Sequence, residues 1–340
     1  MPIAESVATD CSDRPPGRQK GSNVRALNKD PLVWGRYVAV AGAYAACYEL
    51  TRNFSFSHWM LPAGLRLACL LLVPRRFWPA LAVGEALPVA EMAALHAHAF
   101  GVLWACLVSI PTIGLCMPAV IWIRRHADLR RADGQINMNM IMVATLACAL
   151  IGGGASTFTL SIVQMGDGSP NPVVEVQDFL IYFLGQYLGA LTLTPTIMAM
   201  RERMAALPGG IVTWHAVRSS PLARDTLLIV VPSLAILIFL ASQVVEGTAA
   251  LQSVRMAMAV PVILLTWRHG WHGSAVAGML ASIALASTSS FLTEPLMIQA
   301  QVVLSLVIFT SLLFGVRVAR RIAANHPVVL KGACREPSQR

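Results

Sequence analysis

Two long apolar stretches joined by a short basic turn constrain this chain more than any other feature. They cover about residues 54–73 and 77–95, on either side of Pro74, Arg75 and Arg76. Each is close to the ~20 residues that a helix needs to cross a bilayer core of ~30 Å. Trp59 and Trp78 lie near segment ends, where aromatic rings prefer the headgroup level. The pattern predicts a helical hairpin in a membrane.

The composition extends this prediction to the whole chain. Of 340 residues, 56% are hydrophobic and only 13% are charged, whereas a soluble domain carries about 25% charged residues. The sequence therefore predicts an all-α, polytopic integral membrane bundle. The net charge of +9 does not indicate a nucleic-acid partner, because the basic residues are scattered in short groups between apolar runs. The expected surroundings are a lipid bilayer.

Apolar runs recur along the chain and predict about ten transmembrane helices, or eight if two segments are re-entrant or interfacial. The ten segments are about residues 32–50, 54–73, 77–95, 100–123, 140–163, 179–200, 226–245, 248–267, 271–291 and 295–316. The eighth is the least regular, since Arg255 and Pro261 interrupt it. We expect three parts: a disordered cytoplasmic tail over 1–31, a membrane domain over 32–318 and a short basic cytoplasmic tail over 319–340.

The distribution of Lys and Arg predicts the orientation, because cytoplasmic loops hold the excess of these residues. With ten spans, 23 of the 26 basic residues fall on one side, Arg52 and Arg255 fall on the other, and Arg66 lies within a span. Both termini are therefore predicted to be cytoplasmic.

A few polar residues inside the apolar runs are the candidates for a ligand-binding or structural site. They are Arg66, Glu85, Glu91 and His58. Arg66 and Glu85 each lie about nine residues from the centre of the basic turn, so an antiparallel hairpin brings them to similar depth. They then pair with each other, or else Arg66 extends to the headgroups and Glu85 is protonated.

No catalytic, metal or cofactor site is predicted. The sequence lacks a GxxxxGK[ST] phosphate loop, a GxSxG nucleophile turn and an HExxH zinc helix. His96 and His98 are two residues apart, which places them on different helix faces. We therefore expect no enzyme activity.

Three segments resemble a known family. WMLPAGLRLACLLLVPRRFWPALAVGE is similar to the W-x-P-x-G…LLL…R-x-x-W-P…G signature of the bacterial membrane-associated sensor domain of the first type (MASE type 1). YFLGQYLGALTLTP resembles that family's W-x-x-G-D-x-x-G-x-L-x-x-T-P element, with Tyr182 and Gln186 in place of Trp and Asp. VPVILLTWRHGWHGSAVAGMLASIALA resembles its P-x-x-x-W…R-x-G-x-x-G element.

The resemblance extends in order over most of residues 34–321 and implies a sensory module of the bacterial inner (plasma) membrane. Modules of this type are usually fused to histidine kinase or diguanylate cyclase domains. No such domain follows here, so we expect signalling through a cytoplasmic or membrane partner in response to an unknown small-molecule ligand. The alternative is a small-molecule transporter.

A shift of 193 residues also aligns two parts of the chain. Leu71, Arg75 and Trp78 then match Leu264, Arg268 and Trp271. This pattern is typical of parallel internal repeats in transport folds, although Leu, Ala and Val also match by chance in apolar sequence.

Overall fold

Helices make up the described structure, a computed structural model that covers residues 31–55, 59–131, 134–205, 207, 219–245, 247–288 and 295–325. The helices are α1 (Pro31–Asn53), α2 (Leu61–Leu72), α3 (Trp78–Phe100), α4 (Val102–Val108), α5 (Thr112–His126), α6 (Met138–Ser161), α7 (Val176–Ala205), α8 (Pro221–Asp225), α9 (Val231–Gln243), α10 (Ala249–Ala257), α11 (Val260–His269), α12 (Trp271–Ala286) and α13 (Pro295–Asn325). A 3₁₀ turn, Arg75–Phe77, precedes α3, and a π-helical turn, Thr226–Val230, precedes α9.

Seven helical segments in the described part of the chain are long and apolar enough to cross a membrane. They are Arg75–Phe100, Val102–His126, Met138–Ser161, Val176–Ala205, Pro221–Gln243, Ala249–His269 and Met297–Arg321. Two further apolar helices, α2 and α12, are shorter. The predicted all-α membrane bundle is confirmed, while the count of eight to ten spans and the side of each terminus stay predictions.

The second predicted span is shorter than the sequence indicated. The helix covers only Leu61–Leu72, and its 12 residues rise about 18 Å, well short of a bilayer core. Before it the backbone is extended at Met60, whose N–H donates to the carbonyl of Gly185 at 3.0 Å. Pro62 lies in the first turn of α2, where its missing N–H costs nothing. The predicted boundary at residue 54 was therefore wrong.

Two of the long spans are interrupted. Residues 109–111 separate α4 from α5, and Pro111 is the last residue before α5. Met258 and Ala259 separate α10 from α11, which has Pro261 in its first turn. Proline supplies no backbone N–H, so a helix tends to restart at such a residue. The interruption that the sequence indicated in residues 248–267 is present.

The short helix α2 lies in the interior of the bundle, in close contact with α7. Ten of its residues, Leu61 to Leu71 except Cys69, are buried. Glycines permit the approach: a Cβ on Gly64 would lie 2.5 Å from the carbonyl oxygen of Gly189, and a Cβ on Gly189 would collide with the carbonyl oxygen of Met60. Small residues allow membrane helices to pack backbone against backbone. α2 is thus enclosed by protein.

Polar contacts gather several helix ends at one end of the bundle. Glu202 at the end of α7 accepts from Arg130 at 3.3 Å and lies 3.4 Å from the His272 imidazole. Asp225 accepts from Arg268 at 3.2 Å. Apart from His272, which lies at the start of the predicted span 271–291, these residues belong to segments that the charge count places in the cytoplasm.

Candidate functional site

Arg66 of α2 and Glu85 of α3 form an ion pair inside the bundle. The Arg66 Nε donates to both carboxylate oxygens of Glu85, at 3.0 Å to Oε1 and 3.1 Å to Oε2. Glu85 is completely buried and Arg66 is 8% exposed. Charged residues within membrane segments usually face the protein interior and pair there, because a lone charge in the bilayer costs about 2.5 to 3.5 kcal/mol on insertion scales.

Two more helices donate to the Glu85 carboxylate. The Tyr44 hydroxyl of α1 donates to Oε2 at 2.9 Å. The backbone N–H of Ile113, the second residue of α5, donates to Oε1 at 3.2 Å. The first N–H groups of a helix have no partner within the helix, and the helix dipole favours an anion there. The interruption before α5 therefore supplies a backbone donor at the depth of the carboxylate.

Arg66 is held from two further directions. Its Nη1 donates to the side-chain oxygen of Gln186 on α7 at 3.3 Å. Its Cζ lies 5.9 Å from the centroid of the Tyr48 ring on α1, within the range of a cation–π contact. Both Gln186 and Tyr48 are buried. We call Tyr44, Tyr48, Arg66, Glu85 and Gln186 the polar cluster.

Glycines bring the surrounding helices within reach of the polar cluster. A Cβ on Gly84, next to Glu85, would lie 2.5 Å from the carbonyl oxygen of Ala41 on α1. A Cβ on Gly152 of α6 would lie 2.8 Å from the side-chain carbon of Gln186. Five helices contribute a residue or a backbone donor to the cluster, and α6 closes it, so its geometry depends on the packing of the whole first half of the bundle.

The other predicted site residues do not join the cluster. Glu91 lies on α3 beyond Glu85, with an exposed side chain. His58 lies outside the described residues. The sequence prediction missed Tyr44, Tyr48 and Gln186. A signal existed for each: the tyrosines have the i, i+4 spacing of one helix face, and Gln186 stands at the Asp position of the family element.

The polar cluster pairs a cation with an anion. The surrounding hydrogen bonds occupy much of the hydrogen-bonding capacity of both side chains. Breaking one partner of a buried pair costs roughly 3 to 5 kcal/mol, because the other charge is left uncompensated. A change that removes the Glu85 charge, or a ligand that competes for Arg66, would alter how α1, α2, α3, α5 and α7 pack together.

Other chemistry is sparse in the described part of the chain. No group of three or more His, Cys, Asp or Glu side chains lies close enough there to hold a metal ion. Cys47, Cys69, Cys106, Cys116 and Cys148 are free thiols.

Comparison with known proteins identifies the family. The model described as MASE1 matches residues 31–322, nearly the whole chain. No curated protein and no solved structure matches the chain. The match includes every residue of the polar cluster. Because it covers well over half of the chain and agrees with the multi-pass helical bundle, the chain belongs to the MASE1 family of membrane-associated sensory domains.

Proposed function

We propose that this protein is a non-catalytic sensory module of the bacterial inner membrane, which responds to a small-molecule ligand and passes the change to a partner on the cytoplasmic side. The observation that carries the proposal is the Arg66–Glu85 pair, which is buried among the helices of a MASE1 domain. Charged residues buried within membrane segments generally mark functional sites.

The polar cluster is suited to be the element that changes state. A ligand shifts a conformational equilibrium only if it interacts differently with the two states. Competition for Arg66, or neutralisation of Glu85, would supply such a difference, because each removes an interaction that holds five helices together. The glycine contacts around α2 leave little free space, so a displaced α2 must move its neighbours.

A direct contact links the cluster to the predicted cytoplasmic end. Arg124, in the last turn of α5, donates from Nη1 to the carbonyl of Leu70 at 3.0 Å. Leu70 lies one helical turn after Arg66 on α2. A shift of α2 would therefore reach the predicted loop over residues 124–131, where Arg130 in turn contacts Glu202 of α7. We propose this loop, or that over residues 201–224, as the surface that meets the partner.

The experiment compares two equivalent substitutions on α3. Glu85→Gln removes the buried charge, whereas Glu91→Gln makes the same change at an exposed position of the same helix. Labels introduced through non-canonical amino acids at the exposed residues Arg125 and Arg201 report the distance between two predicted cytoplasmic segments. We expect Glu85→Gln to shift the distance distribution and Glu91→Gln to leave it unchanged. Identical distributions would make the pair purely structural and remove its support for a sensor.

Partner recognition has its own measurement. Crosslinkers placed in residues 124–131 or 201–224 in native membranes should capture one specific protein, and Glu85→Gln should change its yield. Capture of lipid alone would count against a signalling partner.

One observation favours transport as a second candidate. α5 begins inside the bundle with its N-terminal N–H directed at Glu85, and α2 and α12 are short. Interrupted helices whose N-termini face an anionic group are typical of transporter binding sites. Substrate uptake into liposomes that is lost with Glu85→Gln and kept with Glu91→Gln would favour this function over sensing.

A further inference from the structure

A cavity of about 650 Å³ lies between the end of α7, the segment leading into α9, and α12, away from the polar cluster. Most of its walls are apolar, with Met200, Met204, Leu227, Val276, Met279 and Leu280 among the lining residues. Four polar side chains also line it: Thr196, Arg203, Ser220 and Thr226. The Thr196 hydroxyl already donates to backbone carbonyls of Thr192 and Ala275. A volume of this size and walls with few polar groups are typical of small-molecule binding sites.

Two polar atoms at the cavity are buried without a partner. Within the described part of the chain, the Nε of Arg203 and the hydroxyl oxygen of Thr226 have no hydrogen-bond partner. The Nη1 of Arg203 does donate to the Ser220 hydroxyl at 3.2 Å, which fixes one edge of the guanidinium. Buried polar groups are nearly always paired, so each exception calls for an explanation. Both atoms can donate, and an acidic group in the cavity would accept from both.

The backbone at the cavity wall is unusual as well. Thr226–Val230 is a π-helical turn, in which the N–H of Val231 donates to the carbonyl of Thr226. Pro232 follows and supplies no N–H. Single π-helical turns occur frequently at functional sites. This turn places Thr226 and Leu227 on the cavity wall.

We propose that this cavity binds a single-chain amphiphile with a carboxylate head, that is, a long-chain fatty acid. The head would lie between Arg203 and Thr226, where one positive charge and two free donors match a singly charged acid. The alkyl chain would lie along the apolar wall toward Met279. Met200 is 56% exposed and Leu227 is 65% exposed, so both also face the outside of the bundle and leave a route for entry from the bilayer.

The ligand class and the site do not depend on the role proposed for the Arg66–Glu85 pair. The two sites share only α7, which carries Gln186 in the polar cluster and Arg203 at its far end in the cavity. The binding measurement below reports neither signalling nor transport. A failed sensor assay and a failed lipid assay are therefore distinguishable.

The test uses the full chain in lipid nanodiscs with a photoreactive palmitate analogue and the corresponding alcohol as probes. The acid should crosslink to peptides that contain residues 196–207 or 276–280, and the alcohol should crosslink there at least several-fold less. Arg203→Gln should reduce crosslinking by roughly tenfold, the loss expected for one hydrogen bond to a charged group. Ala223→Phe should reduce it similarly by filling the cavity while Arg203 remains.

The matched control is Arg224→Gln, which makes the same charge change on a neighbouring side chain that is 70% exposed. Its labelling should equal that of the unmodified protein. If Arg203→Gln does not fold, Thr226→Val removes the other head-group donor. Equal labelling by acid and alcohol, no response to either head-group substitution, or equal displacement of the probe by palmitate and by phosphatidylglycerol would overturn the proposal.

Discussion

The hairpins α2–α3 and α11–α12 have a similar helix–turn–helix arrangement but bury different groups. In each, the second helix begins at a buried tryptophan, Trp78 or Trp271. Three residues earlier lies an exposed arginine, either Arg75 in the 3₁₀ turn or Arg268 in the last turn of α11. The first hairpin encloses the Arg66–Glu85 ion pair. The second encloses a hydroxyl pair, Thr266 and Ser274, whose oxygens lie 2.8 Å apart.

The shift of 193 residues identifies which positions of the second hairpin correspond to Arg66 and Glu85. It places Ala259 opposite Arg66 and Gly278 opposite Glu85. Around Gly278 the neighbour is the side chain of Ile308 on α13, where the first hairpin has polar partners from α1, α5 and α7. The same helix–turn–helix frame thus accommodates a charged interior or a close-packed one. Charge, and with it the proposed switching role, belongs to the first hairpin.

The largest expected effect concerns the side of the membrane that the two turns face, since a topology reporter gives an all-or-none answer. Six of the seven candidate spans lie between the two turns, so both turns should face the same side of the membrane. Reporter fusions after Arg130, Arg218 and Arg335 should report cytoplasm, and a fusion after Ser169 should report the outer side. A periplasmic signal at Arg335 would overturn the predicted even number of spans, eight or ten.

Charge reversal in the first hairpin should have the next largest effect. Arg66→Glu and Glu85→Arg should each lower the free energy of unfolding by roughly 3 to 5 kcal/mol, because each leaves like charges buried together. The double exchange should restore only part of the lost free energy of unfolding, because the Tyr44 hydroxyl and the Ile113 N–H would then face a cation. Unfolding of the purified variants measures this, and simple addition of the two losses in the double variant would contradict the pairing.

Replacing a glycine by alanine should destabilise the protein more at the first hairpin than at the second. We expect this difference to be smaller than the effect of charge reversal. Gly189→Ala should destabilise the protein by about 2 to 3 kcal/mol, because its Cβ would meet the backbone of Met60 in front of α2. Gly278→Ala should cost less than about 1 kcal/mol, since its Cβ would lie 3.2 Å from a side-chain carbon of Ile308 that can adjust. The same unfolding assay compares the two, and equal losses would mean that both hairpins are packed equally tightly.

The hydroxyl pair should show the smallest effect. Thr266→Val and Ser274→Ala should each cost about 0.6 to 1.5 kcal/mol, the size of interhelical hydrogen bonds measured in membrane proteins. A double-mutant cycle gives the coupling between them directly. A coupling as large as that of Arg66 and Glu85 would erase the energetic contrast between the hairpins.

The contrast also shows what the sequence can reveal. Apolar run length predicted the seven helical segments that are long and apolar enough to cross a membrane. Equal distance from a turn predicted that Arg66 and Glu85 lie close enough to pair. Neither rule gives the rotation of a helix about its axis, so Tyr44, Tyr48 and Gln186 remained hidden until packing placed them. Run length also overestimated the second span. Met60, directly before α2, is extended and its N–H donates to Gly185 of α7, a long-range contact that local hydropathy does not contain.

The position of α2 has a consequence for how the protein is made. This helix is too short to cross a bilayer alone and carries Arg66, while its partners Gly185, Gln186 and Gly189 follow more than a hundred residues later in the chain. Chains emerge from the ribosome from the N-terminus at about 5 to 20 residues per second. The hairpin must therefore wait several seconds in the membrane, its arginine without Gln186, until α7 is synthesised. Assembly of the first half of the bundle is thus timed by the arrival of α7.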